Sequence, residues 1–130
     1  MERFLLVGIG GFLGANARYY ISTVLTTRFL TTTGIAIPVG TLFVNVAGSF
    51  LLAVFSVWVA RMLNTAPHLR LLIGTGFFGA FTTFSTFANE TVAIVTKESL
   101  TTGIAYWLMT NVLCLIGVLI GLFVAQRWLV

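Results

Sequence analysis

Apolar residues occupy four long stretches of this chain, approximately 4–25, 39–60, 71–95 and 103–125, and polar residues collect in the three gaps between them. A helix needs about 20 mainly apolar residues to cross a bilayer, so each stretch predicts one spanning helix. Arg28 and the polar run 31–34 fill the first gap, and Pro38 stands at the start of the second stretch. Arg61, Asn64, Pro67, His68 and Arg70 fill the second gap, and Lys97, Glu98, Ser99, Thr101 and Thr102 fill the third. None of these gaps is long enough for a soluble domain. The expectation is a single all-α membrane domain spanning residues 1–130, built from four transmembrane helices with no linker or appended module.

Composition supports this reading. The chain is 58% hydrophobic and 8% charged, with mean hydropathy +1.06, whereas a soluble domain carries about 25% charged residues. So few charges cannot cover a globular surface in water. The formal net charge of +4 does not point to nucleic acid, because the basic residues stand singly near span ends, as interfacial anchors do. Arg3 followed by an apolar stretch and Ala15-Asn16-Ala17 imitates a secretory signal with its cleavage site. Cleavage would discard the first span with its glycines and Arg18, so the segment is read as retained.

With the N-terminus inside, Arg3, Arg61, Arg70 and Arg127 fall on the cytoplasmic side, against Arg28 and Lys97 outside. Arg18, within a span, is set aside. That bias is weak by the positive-inside rule and permits insertion in both orientations. Cys114, the one cysteine, lies within the fourth stretch. It cannot form an intrachain disulfide and reads as a small buried hydrophobe.

Several positions depart from plain oil. Gly10 and Gly14, with Gly11 alongside, leave one face of the first helix nearly bare, and Gly117 and Gly121 repeat the spacing in the fourth. Small residues so spaced let helix backbones approach closely. Arg18, near the end of the first stretch, is either an interfacial anchor or a cation at the mouth of a water-filled cavity. In the second stretch Asn45 shares a face with Thr41. Its amide either bonds a neighbouring helix or presents two N–H donors to a passing anion.

The third stretch is the most unusual. Phe77, Phe81 and Phe84 share a face at about 100° per residue, with Phe87 a turn beyond and Thr82, Ser85 and Thr86 adjoining. Gly74, Gly76 and Gly79 precede them, so a discontinuity within 79–83 is expected. Non-helical backbone at that depth is tolerated only where protein buries it or it lines a cavity, and freed carbonyls suit a hard cation. The other reading packs the rings against lipid and bonds each hydroxyl to its own helix. In the fourth stretch Tyr106, Thr110 and Cys114 form one polar-tipped stripe, with Asn111 beside it.

The segments GGFLGANARYY, GTLFVNVAGSF and GFFGAFTTFSTF resemble, in that order and over essentially the whole chain, the signature segments of the Fluc, or CrcB, fluoride-channel family. The resemblance implies a small channel in the cell membrane that lets fluoride leave the cytoplasm down its gradient. It implies an antiparallel dual-topology homodimer with two pores and a third helix broken near its middle. A structural sodium ion at the dimer centre would be held by the backbone carbonyls of Gly79 and Thr82. Matching motif to motif, the pore aromatics are Phe84 and Phe87, the second-span amide is Asn45, and the hydroxyl track includes Ser85, Thr86, Tyr106 and Thr110. The vestibule cation is Arg18. The implied partners are fluoride, a second copy of the chain and the lipid bilayer, with no nucleic acid. Two positions depart from the family pattern: Ala80 stands where a second glycine is usual, and Cys114 where serine is common.

Fluoride is small and strongly hydrated, so a pore must replace its water with other donors. Hydroxyls and an amide donate hydrogen bonds, and the positive edge of a phenyl ring solvates an anion weakly. Weak, multiple sites let an ion leave as well as enter. The main rival is a small dual-topology multidrug exporter, which relies on a membrane-embedded carboxylate; Glu90 is the only candidate. A non-transporting assembly subunit would not need Asn45 or the hydroxyls. An enzyme is not expected: His68 is the only histidine, and no nucleophile, carboxylate pair or metal-ligand cluster accompanies it.

Overall fold

The computed structural model describes residues 1–61 and 66–128, so Asn64 of the second gap lies outside the described residues. Helix α1 covers Glu2–Thr33 and α2 covers Val39–Ala60. The third span is composite. It begins with a short α3, Ala66–Leu69, continues as a π-helical segment, Arg70–Phe78, and closes its first half with α4, Gly79–Phe81. Two extended residues then lead into α5, Phe84–Lys97. Helix α6 covers Leu100–Trp128. Among the described residues, four helical segments are long and apolar enough to cross a membrane, matching the four apolar stretches.

The bounds differ where polar residues turn out to be helical. Helix α1 runs through Arg28 to Thr33, although these residues read as a gap. Thr31 and Thr33 donate their hydroxyl protons to Arg28 O and Phe29 O at 3.0 and 2.7 Å, so the polar run is satisfied by its own helix. Gly34 then ends α1 at φ 72° while its N–H bonds Leu30 O at 2.8 Å, a left-handed cap that glycine adopts without a Cβ penalty. At about 1.5 Å per residue α1 is about 48 Å long, well beyond a hydrocarbon core of about 30 Å. Thr101 and Thr102 likewise belong to α6, whose start is capped by Ser99 Oγ accepting Thr102 N–H at 3.1 Å.

Both glycine pairs prove to be packing faces within the protomer. A Cβ on Gly10 would overlap Leu72 O, and one on Gly14 would overlap Phe77 O. Helix α1 therefore lies backbone to backbone against the first half of the third span, and the two run parallel. On the other side of the bundle a Cβ on Gly117 would stand 3.1 Å from Val46 O, and one on Gly121 2.6 Å from Phe50 O. These contacts set α6 parallel to α2. Among the described residues two small cores result, one on each side of the break: Val44, Phe78 and Phe81 in one, Phe87, Ile94 and Tyr106 in the other. The remaining apolar faces, carrying Phe4, Phe12, Leu115, Leu119 and Phe123 among others, are exposed, as a lipid-solvated bundle requires.

Candidate functional site

The break falls at Thr82 and Thr83. Thr82 still donates its N–H to Phe78 O at 3.1 Å, but its backbone turns extended (φ −89°, ψ 156°), as does that of Thr83 (φ −151°, ψ 114°). Thr83 restarts the helix: its Oγ1 accepts the Thr86 N–H at 3.2 Å, an N-cap. The same hydroxyl donates to Thr86 Oγ1 at 3.0 Å.

Asn45 holds the break open. Its Oδ1 accepts the Thr83 N–H at 2.7 Å and its Nδ2 donates to Thr83 O at 3.1 Å. The side chain is only 7% exposed. In a continuous helix the Thr83 N–H would close onto Gly79 O; here it goes to Asn45, and the Gly79 carbonyl loses that partner. The next carbonyl, Ala80 O, receives Arg18 Nε at 3.0 Å. Arg18 thus sits at the break rather than at either end of the bundle, satisfying one carbonyl that the break exposes.

Beside the break lies a chamber of about 240 Å³ lined by Asn45, Ser49, Thr82, Thr83, Thr110 and Cys114, with Phe84 and Phe87 on its wall. The two rings meet at 5.7 Å with planes 61° apart, so an edge of one addresses the other. Their environments differ sharply: Phe87 is 2% exposed and Phe84 74%. The expected common face of Phe77, Phe81 and Phe84 is split. Phe77 and Phe81 stack at 5.5 Å, while the extended residues between swing Phe84 away to pair with Phe87. Helical spacing cannot be counted across non-helical residues.

Past the rings, Ser85, Thr86, Asn89 and Glu90 line an open recess of about 650 Å³. Glu90 is held by two hydroxyls: Thr41 Oγ1 donates to Oε1 at 2.8 Å and Tyr106 OH to Oε2 at 3.1 Å. Tyr106, 2% exposed, also packs its ring 5.6 Å from Phe87. Thr110 donates to Tyr106 O at 2.8 Å, so it faces the chamber with its lone pairs in this arrangement.

Of the expected site residues, Asn45, Phe84, Phe87, Thr82 and Thr110 meet in the chamber, Ser85 and Thr86 in the recess, and Tyr106 between them. Gly79 and Arg18 belong to the break. Reading the sequence missed Ser49, although it stands one helical turn after Asn45. It also missed the bond between Glu90 and the Thr41–Tyr106 pair, for which the signal was a lone carboxylate inside a span.

Four spanning helices around a polar path, interrupted at mid-bundle by a clamped helix break, define a multi-pass membrane protein of the channel or transporter class. A family model described as CrcB-like protein, Camphor Resistance (CrcB), matches residues 5–122, and the chain belongs to that family. It is 42% identical over 127 residues to a protein of Sorangium cellulosum, covering 98% of this chain and 97% of that one. It is 44% identical over 126 residues to one of Hahella chejuensis, covering 94% and 93%. A Methanococcus aeolicus protein is 44% identical over 95 residues, covering 73% and 72%. All three relatives are named fluoride-specific ion channel FluC.

Proposed function

We propose that this protein is a fluoride-selective channel of the cell membrane, a conduit rather than an enzyme, that exports cytoplasmic fluoride down its electrochemical gradient and so lowers its toxicity. The observation that carries the reading is the chamber at the break. Its lining combines hydroxyls, the amides of Asn45 and Asn111 and two phenyl rings, and among the described residues none that lines it is charged. Thr82, Thr83 and Thr110 give their protons to Phe78 O, Thr86 Oγ1 and Tyr106 O in this arrangement. Turned toward an ion, those hydroxyls replace the hydration of a small anion by several weak contacts, and the ion is not trapped as it would be by a fixed cation. The names of the relatives support the same substrate.

The chamber reaches the protomer surface at Phe84, which is 74% exposed. A second copy would cover that ring, and the weak charge bias between the two ends suits an antiparallel dual-topology dimer. At its centre the freed Gly79 carbonyl, with that of Thr82, fits a sodium ion, since backbone oxygens at a helix break are suitable ligands for a hard cation. The ion would neutralise the dipoles of carbonyls that the break leaves without a helical partner. Arg18 already serves Ala80 O, and Gly79 and Thr82 are the donors that the family resemblance implies.

The test is efflux from liposomes containing the purified protein, followed with a fluoride electrode, with chloride as control. Fluoride should pass far faster than chloride. Equal rates, or proton-coupled export of an organic cation, would overturn the reading. Topology is checked by a C-terminal tag in intact cells: half the copies should be reached from each side, and labelling from one side only excludes the antiparallel dimer.

A further inference from the structure

The polar positions of α2 do not stop at the chamber. Asn45, Ser49 and Ser56 fall on one stripe of the helix at about 100° per residue, with Leu52 between them. Leu52 also borders a second cavity, of about 290 Å³, lined by Ser56, Arg70, Gly74 and Thr75 as well. This cavity opens at the end of the bundle opposite Glu90. The third span lines it with a cation, Arg70.

The local helix geometry makes the site. Arg70 and Thr75 would stand about 140° apart on an α-helix, but both belong to the π-helical segment Arg70–Phe78. Its i→i+5 turns bring them to one side, and π-helical turns recur at functional sites. Among the described residues, neither the Arg70 guanidinium nor the Thr75 hydroxyl has a hydrogen-bond or ion-pair partner. Ser56, by contrast, spends its proton on Leu52 O at 2.7 Å. The surrounding charge has the same sign. Arg3, Arg61 and Arg127 belong to this end by the run of the helices, and its acidic side chain, Glu2, already meets His68 at 3.2 Å.

We propose that Arg70 and Thr75 form an anion-collecting station in line with the chamber, which binds partly hydrated fluoride at this end of the path. The proposal rests on the fluoride-channel reading above. A cleft of one sign of charge raises the local concentration of the opposite ion and its rate of entry. At this edge of the bundle Arg70 stays beside water, so it concentrates the anion without trapping it at mid-membrane. The same donors suit the phosphate of an anionic lipid, and the experiment separates the two.

Full-length protein and the variants Arg70→Gln, Arg70→Lys and Thr75→Val are reconstituted in phosphatidylcholine liposomes, with and without phosphatidylglycerol, and checked by gel filtration. Fluoride efflux is measured over a range of fluoride concentration and of a non-permeant salt. At low salt and low fluoride, Arg70→Gln should run about threefold to tenfold slower. The deficit should close at high fluoride, Lys should restore most of the rate, and Thr75→Val should cost less, all independently of lipid. A Gln variant equal to the unsubstituted protein throughout overturns the station. So does a deficit confined to phosphatidylglycerol, which assigns the site to lipid, or one that Lys does not rescue and salt does not alter. Should Arg70→Gln fail to assemble, the Lys and Thr75 variants decide by the same criteria. Absence of fluoride flux in the unsubstituted protein overturns the channel reading itself.

Discussion

Replacing Asn45 by Leu removes the clamp on the helix break while keeping a side chain of similar size. Two hydrogen bonds are lost, Thr83 N–H to Oδ1 at 2.7 Å and Nδ2 to Thr83 O at 3.1 Å, both part-buried. A buried polar group left without a partner costs about 1–3 kcal/mol, so the two backbone groups together cost about 2–6 kcal/mol. Straightening of the third span can recover part of this, because the Thr83 N–H can return to Gly79 O. That rescue abolishes the freed carbonyl and rotates Phe84 and Phe87 away from the chamber, so it does not restore transport. The expected result is a loss of at least about 2 kcal/mol in reversible unfolding in detergent, faster amide exchange at Thr83, and fluoride efflux near background. Asn45→Gln keeps the donor and acceptor one methylene further out and should fall between. If Asn45→Leu unfolds at the same denaturant concentration as the unsubstituted protein, protects the Thr83 amide equally and passes fluoride as fast, Asn45 does not hold the break.

Phe84→Leu should leave protomer stability nearly unchanged, since the ring is exposed, and Phe87→Leu should cost more, though less than the about 3–5 kcal/mol of a Phe→Ala change, because the smaller side chain leaves a void in the core; both should slow fluoride efflux, because Leu lacks a positive ring edge. Phe77→Leu, which packs on Phe81 away from the chamber, serves as the control, and full activity in both other variants would return their rings to simple packing. Gly14→Ala forces a methyl into Phe77 O whereas Gly8→Ala meets nothing within 4 Å, so gel filtration should show the first misassembled and the second normal; equal behaviour would contradict the α1 packing. Tyr106→Phe removes the O–H that donates to Glu90 Oε2, a bond to a carboxylate worth about 1.5–3 kcal/mol. Thr41→Val should be strongly non-additive with it in unfolding measurements, and strict additivity would show that the two hydroxyls do not act through Glu90.

The four spans and the place of the break were legible in the chain itself. A run of apolar residues long enough to span hydrocarbon has few other stable solutions, and the cluster of glycines and hydroxyls ahead of Phe84 weakens the helix where it is interrupted. The end of α1 was not legible, because threonines that bond to their own helix, as Thr31 and Thr33 do, have the composition of a loop. Nor did periodicity survive the break: the expected face of Phe77, Phe81 and Phe84 assumed one continuous helix, and two extended residues removed that continuity.

What joins the site was decided only in three dimensions. Asn45 meets Thr83 38 positions away, Arg18 meets Ala80 62 away, and Thr41 meets Glu90 49 away. Each pairing depends on the rotation of one helix about its axis and its slide along a neighbour. Those two quantities are set by backbone contacts at Gly10, Gly14, Gly117 and Gly121. The hydropathy pattern shows that such helices must pack, and small residues show where they can. It carries no information on the axial offset, because lipid solvates an apolar side chain as well as a neighbouring helix does.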